Sequence, residues 1–382
     1  MGSLILTGFN LYLVFCIVNA RFQFKEAESC DSTKCLPPKC RCSNNFDPPG
    51  GLQRKDTPQI IIITFDDDIN TENYKQYLEA FDGLKNPNGC PGVGTFFICH
   101  NYTDYFLAET MYSKGHELAD HTVTHQEPTD YWIHGSYEMW KDEINGEREI
   151  LHRFAGVGLD AVRGFRAPFL AVAENLYKTL YLNNFTYDLS WATGKYYKPP
   201  MYPYTLDYKS IQDCNIGQCP VNSYPGLWVV PNIDIMNADG TVCNSMMDGC
   251  APTANGSQWY DILVRNFEYH YDTNRAPFGM HAHSAWFSQA TGHMDAMKKF
   301  LHYASSKDGV WILTVSQVIQ WMKAPKNIQD AKKFAPWGCP TRPAPRCSQP
   351  NDCHYTEPRD FYMKTCTECP PHFPSPTDPD GN

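Results

Sequence analysis

Apolar positions along this chain fall into short continuous runs that alternate with stretches of helical spacing. Ile60–Phe65 is the clearest run: four isoleucines, then Thr64 and Phe65, which reads as a buried strand. Asn73–Phe81 has helical spacing, Gly94–Ile98 reads as a strand and Phe106–Lys114 as a helix. Residues 136–155 combine apolar positions at helical spacing with many charges, which predicts a long amphipathic helix. The alternation continues with a short strand over Ala161–Phe165, a helix over 173–182, and strands over Phe185–Leu189 and Leu227–Val230. A helix over Trp259–Tyr271, a strand over Phe278–His283, a helix over Gly292–Ser306, a strand over Val310–Leu313 and a helix over Ser316–Met322 complete it.

Strands alternating with helices imply an α/β fold with a parallel sheet around one core. A distorted (β/α) barrel is the preferred architecture, with a doubly wound open sheet second. In a barrel the active site lies at the C-terminal ends of the strands. The catalytic domain is placed at residues 58–324. Residues 21–57 and 325–382 are rich in Cys and Pro without periodicity and read as irregular, disulfide-stapled extensions. The last ten or so residues are expected to be disordered. The Cys-containing stretch 199–257 breaks the alternation and reads as a long loop insertion.

Residues 1–20 read as a secretory signal, cut after Ala20. No later run is long enough to span a bilayer, so no membrane anchor is expected. Removing Cys16 with that segment leaves fifteen of the sixteen cysteines, in local clusters that read as disulfides in a secreted protein. One thiol must stay unpaired, and the spacing does not identify it. Cys366 and Cys369 form a C-x-x-C, but no partner cluster completes a zinc template. Asn101, Asn184 and Asn255 open N-glycosylation sequons. The formal net charge of −10, with no basic block, argues against nucleic acid or anionic lipid as a partner. Aromatic residues make up 14% of the chain; core packing accounts for most of that, and exposed rings that stack on sugars are the alternative.

Asp66, Asp67 and Asp68 follow the Ile60–Phe65 strand directly. Three adjacent carboxylates at a strand end are tolerable if a cation neutralises part of their charge; a solvated capping turn would place them there too. His121 and His125 lie four apart, so on a helix or in a tight loop their imidazoles can share a metal. One carboxylate and two imidazoles make a three-ligand site with a position left for water, suited to Zn²⁺ and also to Co²⁺ or Fe²⁺. Arg166, in "RGFRAPF", can hold a nearby carboxylate ionised. "YDLSW" places Asp188 and Trp191 at a strand end, and "PFGMHAHSAWF" places His281 and His283 on one strand face. A histidine at a strand's C-terminal end suits general-acid work.

These five segments in this order resemble the carbohydrate esterase family 4 polysaccharide deacetylases, the NodB-homology group. Within that group the chain is similar to insect chitin deacetylases, most of all to the short midgut type without a separate chitin-binding domain. The resemblance spans about residues 25–370. It implies Asp66 as catalytic base, Asp67, His121 and His125 as metal ligands, and Arg166 as the residue that orients the base. It implies the Phe169 backbone N–H as oxyanion donor, Asp188 as partner of the arginine, Trp191 as an apolar wall of the substrate site, and His283 as catalytic acid, with His281 as the alternative. Asp68 stands where the family often has Gly, Phe169 where many members have Tyr, and the segment at Asp188 matches loosely. The expected function is secreted, zinc-dependent hydrolysis of N-acetyl groups on chitin or chitooligosaccharides by a monomeric protein. The alternative is a chitin-matrix protein that binds carbohydrate with a weak or inactive site.

Overall fold

The structure is a computed structural model that describes residues 24–251, 254–357 and 359–382. The signal-peptide expectation lies outside the described residues. Thirteen strands are described: β1 (Gln59–Asp67), β2 (Thr95–Ile98), β3 (Glu117–Asp120), β4 (Gly164–Phe165), β5 (Tyr187–Asp188), β6 (Ala192–Thr193), β7 (Tyr204–Leu206), β8 (Tyr224–Val229), β9 (Asn232–Ile233), β10 (Phe278–Ala282), β11 (Val310–Leu313), β12 (Asn351–Tyr355) and β13 (Phe361–Thr365). The helices are α1 (Tyr74–Phe81), α2 (Tyr105–Ser113), α3 (Thr129–Ile133), α4 (Tyr137–Ala155), α5 (Glu174–Leu182), α6 (Gly256–Thr273), α7 (Trp286–Gln289), α8 (His293–Ser305), α9 (Val315–Lys323) and α10 (Ile328–Ala331). None of the described helices is long and apolar enough to cross a membrane.

The main sheet runs β10-β1-β2-β3-β4-β5-β8-β7, with β11 also paired to β1. Every pairing in it is parallel except β7 with β8. β1 is buried along its whole length until Asp67, as expected of a parallel strand covered on both faces. Its side chains alternate between two cores. Ile61, Ile63 and Phe65 pack against helices, while Ile60 and Ile62 join Phe97, Ala119, Tyr187, Trp228 and Trp311 in another cluster. Residues of six strands converge in that second cluster, which a curled sheet produces and a flat open one does not. The architecture is thus a distorted α/β barrel, as expected. No pairing joins β7 to β10 among the described residues.

The long helix expected over 136–155 is α4. Ser136 caps it by accepting a 3.1 Å hydrogen bond from the Met139 amide, and Gly156 ends it at φ 67°. The alternation pattern missed β3, a four-residue strand between two loops. It also treated 199–257 as an insertion; the strand expected over Leu227–Val230 is β8, and β7, which was not expected, pairs with it to extend the main sheet. The remainder is loop pinned by the disulfides Cys214–Cys219 and Cys243–Cys250.

The flanks are stapled. Cys30–Cys42 and Cys35–Cys40 lie in the N-terminal extension, and Cys347–Cys366 and Cys353–Cys369 in the C-terminal one. Cys90–Cys339 ties the C-terminal extension to the barrel across 249 residues. Among the described residues the unpaired thiol is Cys99, which is buried. The expectation of a disordered tail is overturned. Ser375 and Asp378 bridge, His372 donates its amide to the Gly381 carbonyl, and Pro376 packs so tightly on α4 that a Cβ at Gly146 would approach it to 3.1 Å. Prolines that read as disorder in composition here reduce the entropy lost on ordering.

Candidate active site

Register brings the chemistry to one edge of the barrel. Asp67 pairs with Ile98, Ile98 with Asp120, Asp120 with Phe165, and Phe165 with Asp188. The residues just beyond these positions therefore share the C-terminal rim. His121 and His125 sit in the loop after β3, not on a helix. That loop is held from below: the buried Glu143 of α4 accepts from the Thr124 amide at 2.9 Å and its hydroxyl at 2.6 Å.

Asp67 Oδ1 lies 3.6 Å from His121 Nε2 and 3.6 Å from His125 Nε2. Ligand atoms bound about 2.0–2.1 Å from a tetrahedral ion would stand about 3.4 Å apart, so the three side chains fit a small divalent cation with little adjustment. His121 Nδ1 is 2.8 Å from the Arg166 carbonyl, which can only accept. The proton is thereby assigned to Nδ1, and Nε2 is free to ligate. Burial first, then the neighbouring His125, hold His121 down to about 3, so it is a neutral imidazole.

Asp66 faces the other way. Its Oδ1 is 2.5 Å from Arg166 Nη1, and both side chains are buried. Arg166 is fixed by its Nε on the Leu189 carbonyl (2.9 Å), by Nη1 on Thr64 Oγ1 (2.9 Å) and by stacking over Phe97. Thr64 accepts from Arg166, so its own proton points to His281 Nδ1, 2.8 Å away. His281 is therefore a buried acceptor beneath the arginine, with protonation disfavoured by burial and by Arg166. Asp68 instead accepts from Asn70 Nδ2, and burial together with Asp67 raises it to about 6.

His283 stands across from Asp67, with Nε2 3.7 Å from Oδ2. Its Nδ1 lies 2.8 Å from Asp248 Oδ2, and its amide donates to Asp248 Oδ1 at 3.0 Å. Burial disfavours the imidazolium, but the Asp248 hydrogen bond and the charges of Asp66, Asp67 and Asp248 raise His283 to about 9. Burial likewise opposes ionisation of Asp248, and His283 outweighs it, leaving that carboxyl lowered. Residue reading missed Asp248. Its one signal was its place inside the short disulfide loop Cys243–Cys250.

Two candidates are placed otherwise than expected. Asp188 makes no hydrogen bond or ion pair to Arg166; it accepts from Ser190 Oγ (2.5 Å) and Tyr177 Oη (3.1 Å). Ser190 in turn accepts from the Ala167 amide at 2.7 Å, so Asp188 braces the turn that carries Arg166 and Phe169. Trp191 is 2% exposed, packed on Tyr177 with its Nε1 on the Asp213 carbonyl, and presents no open wall. Phe169 stacks edge-on against His125 at 4.9 Å. Backbone strain gathers at this rim: Asp67, Thr122, His125, Phe169 and Leu170 all have positive φ. Non-glycine residues held there mark positions that the surroundings over-determine, as functional sites do.

The polysaccharide deacetylase family model matches residues 53–187. The chain is 35% identical to chitin deacetylase 8 of Bombyx mori over 358 residues, covering 91% of this chain and 92% of that protein. It is 35% identical to chitin deacetylase 1 of the same species over 373 residues, covering 93% of this chain and 69% of that protein. A putative polysaccharide deacetylase from Mycobacterium smegmatis of known structure aligns at 17% identity with a TM-score of 0.47, over 80% of this chain and 99% of that one.

Proposed function

Because the chain belongs to the polysaccharide deacetylase family, we propose that it hydrolyses N-acetyl groups of β-1,4-linked N-acetylglucosamine, in chitin or its oligomers, releasing acetate. The carrying observation is the division of labour between adjacent carboxylates: Asp67 faces two imidazoles while Asp66 is reserved by Arg166. Asp67, His121 and His125 would hold a divalent cation, zinc by the donor set, which would polarise the acetamide carbonyl and acidify a water when bound.

Asp66, fixed by its 2.5 Å contact with the Arg166 guanidinium, accepts the proton of the attacking water. The Phe169 amide is the donor for the developing oxyanion. His283, kept protonated by Asp248, donates to the departing sugar nitrogen, which leaves as an amine. His281 has its Nδ1 engaged by Thr64, and burial disfavours its imidazolium, so His283 is the better acid. Seven disulfides support an extracellular setting, where such bonds persist.

The test is mass spectrometry of acetylglucosamine oligomers after incubation with zinc-loaded protein, with and without a chelator. Loss of one acetyl per event, abolished by chelation and restored by zinc, is expected. Unmodified oligomers at every zinc concentration would refute the reading and leave a carbohydrate-binding role.

A further inference from the structure

The aromatic residues separate into two populations. All nine tryptophans are buried. Among the described residues the exposed aromatic side chains are Tyr102 (70% exposed), Tyr362 (63%) and Tyr131 (38%). Tyr102 lies in the loop after β2, Tyr131 on the helix that follows the histidine loop, and Tyr362 on the C-terminal hairpin β12–β13. All three thus attach to the rim that carries the site, or to the extension packed against it.

The extension shapes that surface. A groove of about 860 Å³ separates the C-terminal hairpin and tail from the loops after β2 and β3. Its lining includes the metal-ligand candidate His125 together with Asn101, His354 and His372. Sharing His354 with that groove, a recess of about 430 Å³ is lined by Thr71, Tyr102, His354 and Tyr362. His354 belongs to both hollows, and its ring stacks flat on Tyr362, 4.3 Å apart at 2°. Its Nε2 is anchored 2.9 Å from Asp360. The hairpin is rigid: Cys353 and Cys366 lie in two separate disulfides, to Cys369 and Cys347.

We propose that the disulfide-stapled C-terminal extension is a glycan-holding platform that lengthens the active-site groove, seating sugar units of the same chain whose acetamide is at the Asp67–His121–His125 cluster. This rests on the deacetylase reading for the identity of the glycan. The occupant follows from continuity with His125 and from the lining. Flat, amphipathic rings with polar rims match a pyranose, which offers C–H faces and hydroxyl edges. The groove volume also falls within the range of ordinary ligand clefts. The net charge of −10 fits a neutral polymer that becomes cationic as it is processed.

The experiment compares Tyr362→Ala and Tyr362→Trp with the wild-type protein on acetylglucosamine dimer and hexamer, and measures hexamer binding by calorimetry. Tyr362 is exposed, so melting temperature serves as the folding control. The expected result for Tyr362→Ala is a KM for the hexamer raised about fivefold, with kcat and all dimer kinetics unchanged, and recovery in Tyr362→Trp. Equal effects on dimer and hexamer, or none on either, would overturn the platform. If the wild-type protein releases acetate from neither, the deacetylase reading fails, and calorimetry alone then decides: the platform stands only if hexamer binding is weakened in Tyr362→Ala. A glycan attached at Asn101 would fill the groove and also overturn it, which peptide mass spectrometry reads directly.

Discussion

The carboxylate–imidazole wall of the site and the His283 wall differ in what holds them. Asp66 and Asp67 end a nine-residue buried strand, and the histidine loop hangs from β3 and is pinned by Glu143 of α4. Regular elements with dense cores fix that wall. His283 stands just past β10, and its partner Asp248 comes from an irregular loop closed by Cys243–Cys250. One wall is positioned by hydrogen-bonded register, the other by a covalent staple. The first should therefore tolerate substitutions in loops, and the second should not.

The largest expected effect falls on the strand-held wall. Asp66→Asn removes the base and keeps the shape. Turnover should drop about 10³-fold while the protein still binds one equivalent of zinc. Acetate release together with metal analysis reads both. Activity close to wild type would remove Asp66 from the mechanism, and loss of metal would merge the roles of Asp66 and Asp67.

The next effect tests the loop-held wall. Asp248→Asn removes the charge that favours the His283 imidazolium and one of the two acceptor oxygens that hold it. A proton donor works only when protonated, so activity is present below its pKa and is lost as pH rises through it. In the wild-type protein that alkaline limb lies above 6.5 and at or below about 9. A cation on Asp67 cancels one of the contributing carboxylates and draws the limb down from the upper value. In Asp248→Asn the limb should move further toward the ordinary histidine value, costing about tenfold in turnover near pH 8. A kcat–pH profile with an unmoved limb would sever the link between Asp248 and His283.

A smaller effect separates the two holding devices. Replacing Cys243 and Cys250 by Ser together should lower stability by about 2 kcal/mol for so short a loop. Turnover should fall less than in Asp248→Asn, with zinc affinity unchanged. Glu143→Gln is the counterpart on the other wall: zinc affinity should fall about tenfold with the alkaline limb in place. If each variant instead perturbs both metal affinity and the limb, the walls are coupled and the distinction fails.

The same division explains what could be read from residues alone. The isoleucine run before Asp66 and the capped helix α4 announce themselves because strand and helix periods are local. The cluster of Asp67, His121 and His125 follows once β1, β2 and β3 lie parallel in that order. β3, Glu-Leu-Ala-Asp, has a carboxylate at each end and no continuous apolar run, unlike the equally short β2 and β11. Asp248 lies 35 residues before His283, and no period or spacing rule connects them. The family resemblance paired Asp188 with Arg166, whereas the hydroxyls of Ser190 and Tyr177 are its hydrogen-bond partners. The C-terminal tail looked disordered because composition does not report packing against Gly146.

Asp188 supplies the finest test of the comparison, because it lies on the strand-held wall without touching the reacting groups. It is buried, and burial raises its carboxyl to about 6 even though Ser190 and Tyr177 both donate to it. Asn in its place keeps one acceptor and turns a donor toward another donor, which leaves a polar contact unsatisfied inside the core. The expected cost is about 1–3 kcal/mol of stability. Arg166 retains its own anchors on Leu189 and Thr64. Turnover at a temperature well below melting should therefore fall by no more than about threefold, the size of a slight displacement of the Phe169 turn through Ser190 and Ala167. A hundredfold loss in a fully folded Asp188→Asn protein would mean that this carboxylate acts on Arg166 through the field rather than through the turn. The strand-held wall would then depend on charge as much as on register.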